Sequence, residues 1–138
     1  MPGTVCVDSP AMSAYTRKNL LEADNSAPDG LDMEARFGRK HLDSQELGVS
    51  YFRYGPGVRP PYGHRHREQE EAYVVVSGSG RLKLDDEVIE IGEWDLIRVA
   101  PEVARGFEGG PEGLVIVAVG GTKPEGGDGE LVHDFWPG

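Results

Sequence analysis

Apolar and polar positions alternate in short runs over most of this chain, and glycine, proline or paired acidic residues interrupt the alternation. Such a pattern reads as strands and turns. Residues 1–14 show no sustained period and read as a loose leader. A single helical turn fits 17–23, where Leu20 and Leu21 form a small apolar face, before the turn-forming Ala27-Pro28-Asp29-Gly30. Strand patterning begins near Met33. The segments 34–42 and 46–54 each have strand length, with Asp43 and Ser44 turning between them. Pro60 and Pro61 cannot donate to a ladder and belong at an edge or rim. The run 72–77 is the most strand-like so far, and Gly78-Ser79-Gly80 is expected to turn it into a second strand at 81–85. Asp85 and Asp86 turn again into 88–91, and Gly92 leads to 96–99. A short strand at 105–108, a loop at 109–113 and an unbroken apolar strand at 114–119 follow, the last buried on both faces if it lies mid-sheet. Beyond Gly120 the chain is rich in glycine and acid until 131–136, where Phe135 and Trp136 are suited to dock on the barrel or on a partner.

Eight to ten short strands with almost no helix predict an all-β fold, closed as a barrel or as two packed sheets so that its edges are covered. At 138 residues and 15.0 kDa the size is that of one domain. It divides into a leader at 1–32, a barrel at 33–120 and a tail at 121–138. A net charge of −10 argues against nucleic-acid or anionic-membrane partners, which select a basic face. No apolar run approaches the ~20 residues that span a bilayer. The N-terminus lacks the basic and apolar blocks of a signal peptide, and Cys6 is alone, so no disulfide framework is expected. These features predict a soluble, cytoplasmic protein. Neither a helix-turn-helix pattern nor a phosphate-cradling glycine loop is present.

The chemistry concentrates in Gly63-His64-Arg65-His66-Arg67-Glu68-Gln69-Glu70-Glu71. In an extended strand His64 and His66 point to one face, with Tyr62 on the same side. If 67–70 turns a hairpin, Glu71 returns opposite the pair. Two imidazoles and a carboxylate suit one divalent transition metal: Fe, Mn, Ni, Cu or Zn. The plainer reading of so charged a run is a solvated turn. His41 and His133 lie outside the cluster and read as surface or supporting residues.

Gly57, His64, His66, Glu71 and Gly78 resemble the first motif of the cupin superfamily: glycine, His-x-His, Glu, then glycine. The stretch from Gly92-Glu93-Trp94-Asp95 to Pro101 is similar to the cupin pattern too, and the resemblance covers about 37–120. It implies a small jelly-roll barrel with the site inside or at its mouth. It also implies a homodimer, with the segment around Phe37 and the Phe135-Trp136 tail as candidate contact pieces. The second motif departs from the family. Arg105 stands where a third histidine is usual, and Glu102 where glycine is usual. Arginine keeps its proton and has no lone pair to offer, so it cannot be a ligand, and its charge opposes a dication.

Two arrangements answer that charge. In one the metal site is weakened or absent, Arg105 pairs with Glu71, and the histidines serve as neutral hydrogen-bonding or proton-transfer groups around a small, anionic molecule. In the other His64, His66 and Glu71 hold a metal as a facial triad, as in dioxygenase- or isomerase-type cupins, and Arg105 turns to an anionic ligand. A purely structural or interaction module is a third reading. Tyr51, Tyr62 and Tyr73 are further candidates for the wall of the pocket, and Phe107 is expected to pack beneath Arg105.

Overall fold

The computed structural model describes residues 14–122 and 124–137, so residues 1–13 of the expected leader, Cys6 included, lie outside the described residues. The alternation is realised as eight strands in one curled antiparallel sheet: β1 (Met33–Phe37), β2 (Gly48–Tyr54), β3 (Gly63–Arg65), β4 (Glu71–Leu84), β5 (Glu87–Gly92), β6 (Leu96–Val99), β7 (Arg105–Gly120) and β8 (Glu130–Val132). Helix is confined, among the described residues, to a 3₁₀ turn at Leu20–Glu22 and to α1 (Gly38–Leu42). The fold is an all-β jelly-roll barrel. Alternate residues of β4 and β7 turn inward, and Val75, Leu82, Leu114 and Ile116 are at most 1% exposed. Each such side chain contributes roughly 1.5–3 kcal/mol by leaving water.

β7 is the spine. Its residues 114–120 pair with β2 along one side and with the first half of β4 along the other. Its residues 105–109 pair with the second half of β4, while Arg105 stands opposite His64 of β3. The expected loop at 109–113 is therefore strand, and the expected turn at 78–80 is strand as well. Both departures have one cause. Gly78 and Gly113 adopt φ of +78° and +84°, and a Cβ on Gly78 would meet the Gly113 carbonyl oxygen at 2.1 Å. Two facing glycines thus let both strands bend together, with register shifts at Val75/Ser77 and Gly78/Gly80, where a sequence reader sees reversals.

Two more expectations change. The segment 34–42 is strand only to Phe37. It then turns into α1, which ends at Asp43 in the left-handed region with its N–H on the Arg39 and Lys40 carbonyls. Asp43 does form the expected turn, as a helix cap. The run 114–119 is buried on one face, because Val119 is 40% exposed on the outer side of the sheet.

The tail closes onto the barrel. β8 pairs with β3, and Phe135 and Trp136 are buried together against Ala104. Lys83 Nζ lies 4.0 Å from the Phe135 ring centre, and the Arg59 and Arg81 guanidiniums lie 5.0 and 5.7 Å from the Trp136 ring centre. Phe135 and Trp136, expected to dock on the barrel or on a partner, pack on the barrel of their own chain, and Phe37 is 53% exposed.

Candidate metal centre and ligand cavity

β3 and the residue just past it carry His64 and His66, whose rings sit 5.1 Å apart at 90°. Glu71, the first residue of β4, brings its Oε1 to 3.5 Å from His64 Nε2 and 3.3 Å from His66 Nε2. The structure thus assembles the three residues, but not through a hairpin. β3 pairs with β7 and β8, never with β4. The intervening residues are held otherwise: the backbone N–H groups of Arg67, Glu68 and Gln69 all donate to Asp128 Oδ2, at 3.0, 2.6 and 3.0 Å.

Asp128 is the site residue that the sequence reading missed. Its side chain is fully buried, and Oδ1 accepts from His66 Nδ1 at 2.9 Å. That partner assigns the His66 tautomer: the proton is on Nδ1, so Nε2 presents a lone pair. Nε2 is buried and has no hydrogen-bond partner among the described residues, because its contact with Glu71 is not aligned as a hydrogen bond. Two acceptors facing each other at this distance call for a proton or a cation between them. The available sequence signal was slight, an acid among Gly126, Gly127 and Gly129, of which the first two have positive φ.

The electrostatics agree with this arrangement. Burial pushes the Glu71 carboxyl up, but His64, His66 and the Tyr73 hydroxyl, which donates to Oε1 at 2.5 Å, bring it well below the carboxylate range. Burial likewise opposes ionisation of Asp128, and the Glu68 N–H, His66 and the Gln69 N–H overcome it. The neighbouring Glu71 raises the His66 imidazolium above its ordinary value against the cost of burial. Tyr73 is raised well above its ordinary value by burial and then by Glu71, so it stays a donor.

Arg105 is fully buried and lines the same cavity. The expected pairing with Glu71 is not formed. Nη2 instead donates to the Ala100 carbonyl at 3.1 Å and the Val99 carbonyl at 3.5 Å, while Nε and Nη1 have no partner among the described residues. The cause is the register, which seats Arg105 beside His64 at the start of β7, next to the turn that follows β6. A buried cation without a carboxylate partner is costly, and an anion brought beside it relieves that cost.

The cavity measures about 820 Å³ and is lined both by this cluster and by Arg39, Lys40 and Asp43 of α1 and its cap. Tyr62 and Tyr73 line it, as do Ser50, Phe52 and Tyr54 of β2. Tyr51 is not among the lining residues. Strand parity puts it on the outer face with Arg53, which bonds to Glu34 and Asp32. Phe107 packs under the site, stacked on Tyr54 at 5.9 Å and edge-on to Tyr73 at 5.0 Å. His41 and His133 take no part in the cluster, and His41 contacts the Asn19 carbonyl at 3.0 Å instead.

The donor set fits a metal. Two imidazole nitrogens and a carboxylate oxygen lie within 4.8 Å of one another, and one of those nitrogens is otherwise orphaned. His64, His66 and Glu71 can hold a divalent ion. A cupin protein from Bacteroides fragilis superposes with a TM-score of 0.67 at 21% identity, covering 80% of this chain and 86% of that one. The chain has the cupin fold. The polyketide cyclase RemF from Streptomyces resistomycificus matches this cupin barrel with a TM-score of 0.67 at 20% identity, over 87% of this chain and 85% of the cyclase. A cupin-superfamily sugar phosphate isomerase from Silicibacter pomeroyi matches with 0.63 at 18% identity, over 78% and 76%. No protein-family model matches the sequence, and no curated protein matches it. Such distant likeness establishes the fold and leaves the activity to the site.

Proposed function

We propose that this cupin barrel binds a small organic anion in its cavity, beside a divalent transition metal held by His64, His66 and Glu71. The observation that carries the reading is His66 Nε2, a buried lone pair fixed from behind by Asp128 and left without a hydrogen-bond partner in a cluster with His64 and Glu71. Arg105 supports the anion: its buried Nε and Nη1 offer two unused donors and a full charge at the cavity wall. Tyr73 orients Glu71, Asp128 orients His66, and the aromatic floor of Tyr54, Tyr73 and Phe107 keeps water from these contacts. A metal held there would supply Lewis acidity to an oxygen of the bound molecule. Similar structures carry the names of an isomerase and a cyclase, and polarising an oxygen beside a proton-transfer group serves both kinds of reaction.

The approach of both imidazoles to Glu71 Oε1, at 3.3 and 3.5 Å, favours a second reading, in which a shared proton occupies the place of the metal and the cluster works as an acid–base pair. Elemental analysis and titration with Mn²⁺, Co²⁺ and Zn²⁺ separate the two. The metal reading expects close to one ion per chain, lost in the His64→Ala, His66→Ala double variant. Protein that takes up none of the three at millimolar concentration overturns it in favour of the acid–base pair.

A further inference from the structure

We infer that the ligand of this cavity is an apolar, ring-bearing anion, an aromatic or polycyclic carboxylate or phenolate, and not a sugar or sugar phosphate. The inference rests on the anion-binding reading above and specifies the body that the anionic group carries. Beside the His64–His66–Glu71 cluster, part of the cavity wall is built from the inward faces of β1, β2 and β7. β1 contributes Met33, Ala35 and Phe37, β2 contributes Phe52, and β7 contributes Ala118, so Ser50 carries the one aliphatic hydroxyl on the β2 wall.

Phe37 and Phe52 pack edge-to-face at 5.6 Å, and Phe37 is 53% exposed although it lines the cavity. An aromatic side chain left half in water on a cavity wall is stabilised when a flat apolar body covers it. A sugar does the reverse. Its hydroxyls need partners around the whole ring, and each one pressed unpartnered against this wall costs roughly tenfold in affinity. Charged groups share the lining with this wall: Arg105, His64, His66 and Glu71 form one cluster, and Arg39, Lys40 and Asp43 belong to α1 and its cap. A charged cluster beside an apolar wall matches a molecule with one charged head and an apolar body. The volume, about 820 Å³, lies in the upper part of the range for small-molecule sites and admits fused rings.

The test is calorimetric titration of 2-naphthoate, methyl 2-naphthoate and glucose 6-phosphate into the full-length protein, repeated on Phe37→Ala. Phe37 is exposed, so the variant is expected to fold, which circular dichroism checks. The expected result is saturable binding of 2-naphthoate at one site, at least tenfold tighter than glucose 6-phosphate, and weakened at least threefold in Phe37→Ala. Glucose 6-phosphate binding as tightly as the naphthoate, naphthoate affinity indifferent to Phe37→Ala, or no binding of either naphthalene compound overturns the inference. The methyl ester keeps the two proposals apart. Equal binding of ester and acid refutes the anion reading while the apolar-body inference stands, and tight binding of glucose 6-phosphate refutes the apolar body while the anion reading stands.

Discussion

Asp128 Oδ1 lies 2.9 Å from His66 Nδ1, so a residue of the C-terminal tail decides which lone pair the candidate metal centre presents. The same carboxylate gathers the N–H groups of residues 67–69, which couples the loop before β4 to the tail. Its removal is therefore felt both at the imidazole and at the loop.

Replacing Asp128 with asparagine leaves one oxygen for the three N–H groups and turns an amide N–H₂ toward His66. A donor there drives the imidazole proton from Nδ1 to Nε2 and blocks the ligand position. Asp128→Asn is expected to weaken Co²⁺ or Zn²⁺ binding about 10–100-fold. Isothermal titration reads this directly, and unchanged affinity in a folded variant would contradict the role assigned to Asp128.

Arg105→His restores the usual cupin donor and deletes a buried charge next to the site. Both changes favour a dication, so metal affinity is expected to rise at least ~10-fold, since ~1.4 kcal/mol suffices for that factor. Arg105→Gln removes only the charge and should give a smaller gain. If neither variant binds metal more tightly than wild type, Arg105 does not act on the cluster.

Acid and base should destabilise the metal-free protein through different residues. Glu71 and Asp128 are held below their ordinary values, so their stabilisation is complete above the unfolded carboxylate values of about 4 and is lost as pH falls through the lower folded values. His66 is raised, so its stabilisation is complete below about 6.5 and is lost as pH rises through the folded value. Thermal melts in a chelator should therefore plateau between about pH 4.5 and 6.5. Saturating metal should move that optimum upward, because the ion requires neutral imidazoles. A melting temperature that climbs steadily from pH 6 to 8 without metal would exclude this assignment.

A methyl group at Gly63 would meet the Phe135 ring at 2.6 Å and the Arg105 carbonyl oxygen at 2.7 Å. The ring can move, but the backbone oxygen cannot do so cheaply. Gly63→Ala is expected to cost about 1–3 kcal/mol in urea unfolding. It should also shift Trp136 fluorescence as the tail loosens, with metal affinity falling in parallel because Asp128 belongs to that tail. Wild-type stability and emission would show that the tail packs on the barrel less tightly than the structure has it.

The pattern of short apolar runs was enough to specify an all-β chain, because inward and outward faces must alternate wherever one side of a sheet is buried. The His-x-His pair was legible for the same local reason, parity within an extended segment, whereas Glu71 rested on a hairpin that does not form and on the resemblance of the spacing to the first cupin motif. What sequence could not supply was everything that depends on which strand lies beside which. The glycines at 78 and 113 read as turns because a bend shared by two strands looks like two reversals until the strands are paired. Tyr51 shared a parity but not the inward one, since which face turns inward is decided by the neighbours of β2 and not by β2 itself. Arg105 stood at the histidine position as expected, yet its guanidinium turned to the Val99 and Ala100 carbonyls because those groups are nearer in space than Glu71 is. Asp128, 62 residues from His66 in the chain, acquires its role only through tertiary closure of the tail. Periodicity is a property of neighbours in sequence, and it determined the strands and the ligand types. Pairing is a property of the folded whole, and it alone decided the partners that orient them.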